Sequence, residues 1–177
     1  MANEKQKNVH MKKLLFVGLL FFAKTTFANT PSIGEVRSLY EKAVNDESAC
    51  NKLVEILSPY NENNNPLYAG YKASAIMMMA KHAFNPFSKM SYFKKGKRIL
   101  ENAIKADEKN IELRFLRFNA QTHMPSFLGY NGDIKKDQAF LESSFSKITD
   151  VKLKEFMLPY LKDTDFSVAE ISQSLKK

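Results

Sequence analysis

Apolar side chains recur along this chain every three or four residues, the spacing that lines one flank of an α-helix, and from Ser32 onward no segment alternates in twos as a half-buried strand would. Ser32 and Glu35 form a capping box, and Ile33, Val36, Leu39, Tyr40 and Ala43 then share a face. That helix should end near Asn45. Asp46 caps a second, whose stripe is Cys50, Leu53, Val54 and Leu57. Residues 60–65, YNENNN, are rich in side chains that bond their own backbone and predict a polar turn. Pro66, with no N–H to leave unpaired, opens a third helix behind Asn65, with Ala69, Ala73, Ile76, Met77 and Ala80 at its apolar positions. A break at Asn85 and Pro86 precedes a fourth helix from about residue 88 to 107, with Met90, Phe93, Ile99, Leu100, Ala103 and Ile104 facing inward.

The fifth helix starts near Asn110 and carries Ile111, Phe115, Leu116 and Phe118. It must end before Pro125, because the residue ahead of a proline avoids helical geometry. Residues 124–133, MPSFLGYNGD, read as a structured loop with at most a short helical turn. Ile134, Leu141, Phe145 and Ile148 mark a sixth helix; Val151, Phe156 and Met157 suggest a seventh, broken by Pro159. Ser167 and Glu170 cap a short terminal helix bearing Val168, Ile171 and Leu175. The expected fold class is all-α.

Residues 11–28 follow a different rule. Met11 opens MKKLLFVGLLFFAKTTFA: two lysines, an apolar run to Ala23, then Thr26 and Ala28 at the small-residue positions that a signal peptidase reads. Lys24 interrupts the run after about ten residues, whereas a bilayer span needs about 20, so no stable membrane anchor is expected. The predicted organisation is a signal peptide over residues 1–28, with residues 1–10 as an upstream extension, and a single helical domain over 29–177. Cleavage near Ala28 would place the product in the periplasm or outside the cell. Its one cysteine, Cys50, has no intramolecular disulfide partner and is expected to act as a small buried apolar residue. Removing residues 1–28 takes away five lysines and one glutamate, so the formal charge falls from +8 to +4, a modest excess that does not point to nucleic acid.

Two central helices resemble a tetratricopeptide repeat. Ile76, Met79, Ala80 and Ala83 follow the offsets of that repeat's first helix, and Gly96, Leu100, Ala103 and Glu108 those of its second, where the small residues let backbones approach closely. The following stretch, AIKADEKNIELRF, has the aspartate and asparagine of a turn into the next repeat and then restarts a helix. The last first-helix position lacks its aromatic, Glu108 replaces the usual proline, and the link at residues 85–89 is about four residues too long. The resemblance covers roughly a fifth of the chain. It implies antiparallel helix pairs packed as a short array, with an irregular helical bundle as the alternative, and a non-enzymatic module that binds a protein or peptide. The chain is also similar to small exported helical proteins of unknown role.

Arg114 and Arg117 sit where a further repeat would place large apolar residues, so each is either exposed on a groove or paired inside. With Phe127 and Tyr130, from the one loop where glycine, proline and aromatics crowd together, they are the candidate binding residues. Substituting either arginine by alanine should, on this reading, leave folding largely intact. Catalytic chemistry has little support. His82 and His123 stand alone with no H-x-x-x-H pair, no G-x-S-x-G occurs, and Gly129 and Gly132 lack the remainder of a phosphate loop. No cofactor or metal ligand set is assigned. Lys97 and Lys105 lie four residues either side of Glu101 and are expected to pair with it. Met77, Met78 and Met79, with Phe84, Phe87, Phe93, Phe115 and Phe118, suggest an alternative function: a carrier with an apolar cavity for a small molecule or lipid.

Overall fold

Side-chain caps set where the helices begin. In this computed structural model, which describes residues 30–162 together with Thr164 and Phe166, seven α-helices and no strands occur among the described residues. The Ser32 hydroxyl accepts from the Glu35 N–H at 3.2 Å and starts α1 (Ile33–Ala43); Asp46 accepts from Ser48 and Ala49 and starts α2 (Glu47–Ile56). Asn65 and Pro66 open α3 (Pro66–His82) as the sequence predicts. Asn85 and Pro86 repeat that device. They were expected to be a break running on to residue 88, but the Asn85 side chain accepts from Phe87 N–H at 2.8 Å and Pro86 is the first residue of α4 (Pro86–Ala106). Asn110 caps α5 (Ile111–His123).

After α5 comes a single 3₁₀ turn, Ser126–Leu128, closed by Gly129 at φ 60°, a left-handed conformation that a glycine adopts without steric cost. α6 (Ile134–Phe145) and α7 (Val151–Lys162) complete the set. Pro159 does not break α7. It lies on the exposed side, where water can serve the carbonyl its missing N–H leaves free. The signal-peptide residues and the Ser167–Glu170 capping box lie outside the described residues.

The compact unit that carries the helices begins at Pro31. Contact passes mainly between helices adjacent in sequence, most extensively between α3 and α4, with α5 reaching back to α3 and forward to α6. Short links make such neighbours run antiparallel, an arrangement that arrays and up-down bundles share. α3 lies at the centre: Tyr68, Ala69, Tyr71, Ala73, Ala75, Ile76 and Met77 are all buried, so its apolar surface goes round the helix instead of forming one stripe. Around it Tyr40, Tyr71, Phe156 and Tyr160 pack edge to face, with ring centres 5.5–6.1 Å apart from Tyr40. Cys50 is buried as expected; its thiol donates to the Ala75 carbonyl, and burial pushes its pKa up to about 11.

The small-residue logic of the α3–α4 pair holds at Gly96. A Cβ there would lie 2.6 Å from the Ala73 carbonyl oxygen and would also meet Met77, so the two backbones touch because glycine leaves the space. A carbonyl in a helix cannot step aside as a flexible side chain does. Gly96→Ala should therefore force α3 and α4 apart and destabilise the protein by about 1–3 kcal/mol despite alanine's better helix propensity. Thermal unfolding followed by circular dichroism would show a clear drop in Tm, and an unchanged or higher Tm would show that the helices have room to spare.

Candidate binding cleft and the buried arginines

α5 carries five charged or polar side chains into the interior: Glu112, Arg114, Arg117, Asn119 and Gln121. Burying a charge is tolerable only when an opposite charge and hydrogen bonds replace water. Near the start of the helix, Glu112 receives a two-pronged interaction from Arg37 of α1, Nε to Oε1 at 2.8 Å and Nη2 to Oε2 at 2.9 Å. The Tyr71 hydroxyl of α3 donates to the same carboxylate, and Arg37 Nη1 reaches Asp150, just ahead of α7, at 3.0 Å. Burial disfavours the charged Arg37, but its bonds to Glu112 and Asp150 outweigh this and raise its pKa above the ordinary arginine value. The Asp150 carboxyl is held below the usual range: slight burial opposes ionisation, and the hydrogen bond from Arg37 overrides it.

A second cluster lies one and a half turns along. Arg117 grips Asp137 of α6 through Nε at 2.6 Å and Nη2 at 2.9 Å, and its Nη1 donates to Glu101 of α4 at 2.8 Å. Arg114 Nε approaches Asp137 Oδ1, the oxygen that Arg117 Nη2 also reaches, at 2.5 Å, though its N–H is not aligned as a hydrogen bond, so this contact is ionic. The Arg114 guanidinium also stacks over the Phe140 ring, 4.9 Å from its centre. Asp137 is 0% exposed, and two arginines surround it. Glu101 also accepts from the Tyr130 hydroxyl at 2.6 Å. The expected Lys97–Glu101–Lys105 surface pairing is therefore replaced: Glu101 turns to Arg117 and Tyr130, and Lys97 sits over the Tyr130 ring.

Three of the four candidate binding residues are thus gathered into one place, but it is an interior one. Arg114, Arg117 and Tyr130 are buried, and the groups through which they would meet a partner are occupied by Asp137, Glu101 and neighbouring rings. Of the two fates open to arginines at apolar repeat positions, both took internal pairing. Phe127 stands apart from them, 83% exposed, beside a cleft.

That cleft has a volume of about 830 Å³ and is partly open to solvent. Met77 and Met78 of α3, Met90 and Phe93 of α4, and Phe127 and Leu128 of the 3₁₀ turn give it apolar walls. Met90, expected to face the core, is 37% exposed and borders the opening instead. Of the phenylalanines proposed to line a cavity, Phe93 does so. Phe115 and Phe118 are in the core, and Phe84 and Phe87 face solvent. Deeper in, Asn119 Nδ2 donates to the Tyr40 hydroxyl at 2.8 Å, while its Oδ1 is buried without a partner. Lys81, Lys89 and His123 also border the cleft, and no carboxylate among the described residues lines it. His123 is engaged through Nδ1 with the Asn119 carbonyl at 2.9 Å. Among the described residues, no three His, Cys, Asp or Glu side chains are grouped to hold a metal, and no helix is long and apolar enough to cross a membrane.

Only the methionine and phenylalanine pattern signalled the cleft in advance. The partners of the buried charges gave no readable signal, because Arg37 meets Glu112 and Asp150, and Arg117 meets Asp137 and Glu101, across 16 to 113 positions of chain.

Two measurements probe this interior. Arg117→Ala would leave the buried Asp137 with only the ionic contact of Arg114 and Glu101 with only the Tyr130 hydroxyl, and should destabilise the protein by about 3 kcal/mol, replacing the expectation of an intact fold. Urea unfolding that shifted by less than 1 kcal/mol, roughly the value of an exposed pair, would show that the pairing is superficial. Burial, reinforced by Glu112, raises the Tyr71 pKa well above the ordinary 10.0, and burial likewise raises that of Tyr40. An unfolded chain releases these protons once pH passes 10.0 while the folded one holds them, so stability present below that value should fall progressively above it. A flat stability profile across that range would contradict the placement of these hydroxyls.

Comparison with protein-family models, curated proteins and solved structures finds no match to this chain.

Proposed function

We propose that this chain is an exported, non-catalytic binding protein that carries a small apolar molecule in the cleft between α3, α4, α5 and the 3₁₀ turn. The observation that carries the reading is the cleft itself: about 830 Å³, inside the roughly 300–1,000 Å³ range of small-molecule sites, with mostly apolar walls and a few polar groups. Four methionines, Met77, Met78, Met90 and Met124, border it, and flexible thioethers fit ligands of irregular shape. The proposal of export rests on the lysine pair, apolar run and small residues over 12–28, and periplasmic or secreted placement follows from it.

A second reading, a protein or peptide partner, has its own support. Phe84 is 100% and Phe87 86% exposed, flanking Pro86 at the edge of the cleft, and with Phe127 they are large apolar side chains left in water. A peptide would use these rings as its main contacts, whereas a carried small molecule would use the walls within.

Ala120 separates the two, because it lines the cleft whereas Phe84 and Phe87 do not. Ala120→Phe should fill part of the space and weaken binding of the neutral dye Nile red at least about tenfold, while the far-ultraviolet circular dichroism stays helical. Phe84→Ala with Phe87→Ala should leave dye binding within about twofold, since these rings lie outside the walls. If the wild-type protein bound no dye, or if only the double alanine variant lost it, the carrier reading would fail and the exposed rings would become the site.

A further inference from the structure

Among the described residues, the charged groups around the cleft are all of one sign, and the cleft's ligand class follows from that. Among the described residues, Lys81 and Lys89 are the only formally charged side chains that border it, both are exposed, and neither Asp nor Glu lines the wall. Lys81 Nζ is held at the edge by the Val44 carbonyl at 2.8 Å and the Asn45 side chain at 3.1 Å, both uncharged acceptors that leave its charge uncancelled. Lys89 has no ion-pair partner among the described residues. Elsewhere, the chain neutralises its interior arginines with Glu112, Asp137, Glu101 and Asp150. The cations at the cleft lack this compensation, and the apolar walls beside them lower the local dielectric and strengthen their pull on an anion.

Resting on the carrier reading above, we infer that the cleft takes a single-chain amphiphile with a monoanionic head, a fatty-acid carboxylate, with the alkyl chain between the methionines and the carboxylate at Lys81 and Lys89. A carboxylate suits two separate ammonium groups, which act as point charges. The forked guanidinium that favours bidentate phosphate recognition is absent from the cleft wall, since the chain's buried arginines are committed inside the fold. At the nearby start of α4, Asn85 already occupies the Phe87 N–H that a phosphate would otherwise use. The inner end holds the neutral Asn119 and Tyr40 and no cation among the described residues, so the charge of a carboxylate is best met at the opening, by Lys81 and Lys89.

The test is isothermal titration at low ionic strength with three probes of equal chain length: dodecanoate, dodecanol and dodecyltrimethylammonium, each below its micelle concentration. The full chain should bind dodecanoate at least about fivefold more tightly than the cationic probe, a margin expected of one or two exposed charges, and added salt should shrink the difference. Lys81→Glu with Lys89→Glu should reverse the order while leaving dodecanol affinity within about twofold, because the walls are untouched. Both positions are exposed, so the variant should fold; if it did not, Lys89→Glu alone should reduce the preference at least about twofold. Equal affinities for anion and cation, or a preference that survives charge reversal, would overturn the head-group assignment and leave the apolar cleft standing. Failure of all three probes to bind would remove the carrier reading as well.

Discussion

The helices around α5 are tied together by the need to neutralise what it carries inside. A helix with Glu112, Arg114 and Arg117 turned into the interior has no stable position unless other elements bring opposite charges to it, because an unpaired buried ion costs several kcal/mol. α1 supplies Arg37, α4 supplies Glu101, α6 supplies Asp137, and Asp150 stands at the threshold of α7. Apolar contact alone is tolerant of register, since one leucine packs much like another. Two-pronged ion pairs are not. They therefore select one arrangement of the helices where hydrophobic burial would accept several. The aromatic cluster around Tyr40 and the Gly96 contact between α3 and α4 then fill the space so defined.

The cleft is a consequence of that arrangement. α5 is tied to α3 through Glu112 and Tyr71 and to α4 through Arg117 and Glu101, and Asn119, Ala120 and His123 at its end line the cleft with Met77, Met90, Met124 and Leu128. Methionine is the residue that makes such a gap tolerable, being flexible enough to cover it when empty and to yield when filled. The binding role proposed for the cleft thus depends on the rigid half of the molecule to hold its walls, and on the soft side chains to adapt.

Helical class, caps and most of the buried stripe were legible because they are local. Ser32, Asp46, Asn65 and Asn110 each begin the helix expected of them, and Val36, Tyr40, Leu53, Leu100 and Phe115 are buried where the spacing puts them. Asn85 and Pro86 misled because the same pair signals both a stop and a start. Pro159 misled because its effect depends on whether its side of the helix faces water. The candidate binding arginines show the limit most clearly: Arg114 and Arg117 are conspicuous in an apolar pattern, yet what they do is decided by Asp137, some twenty residues away, and no spacing rule predicts that meeting. Close approach at Gly96 and sequential helix contacts are shared by many helical designs and do not single out a tetratricopeptide array.

The claim that buried charge fixes the fold is tested most directly by a double-mutant cycle on Arg37 and Glu112, with unfolding free energies measured for the wild type, Arg37→Met, Glu112→Leu and the double variant. Arg37→Met leaves the buried Glu112 carboxylate with only the Tyr71 hydroxyl, Glu112→Leu leaves the buried Arg37 with only Asp150, and the double change leaves no charge at that pair. The account predicts that the double variant is at least as stable as either single one, giving a coupling energy of about 2 kcal/mol or more. Penalties that simply add would mean that the two groups do not depend on each other, and the helices would have to be positioned by apolar packing alone.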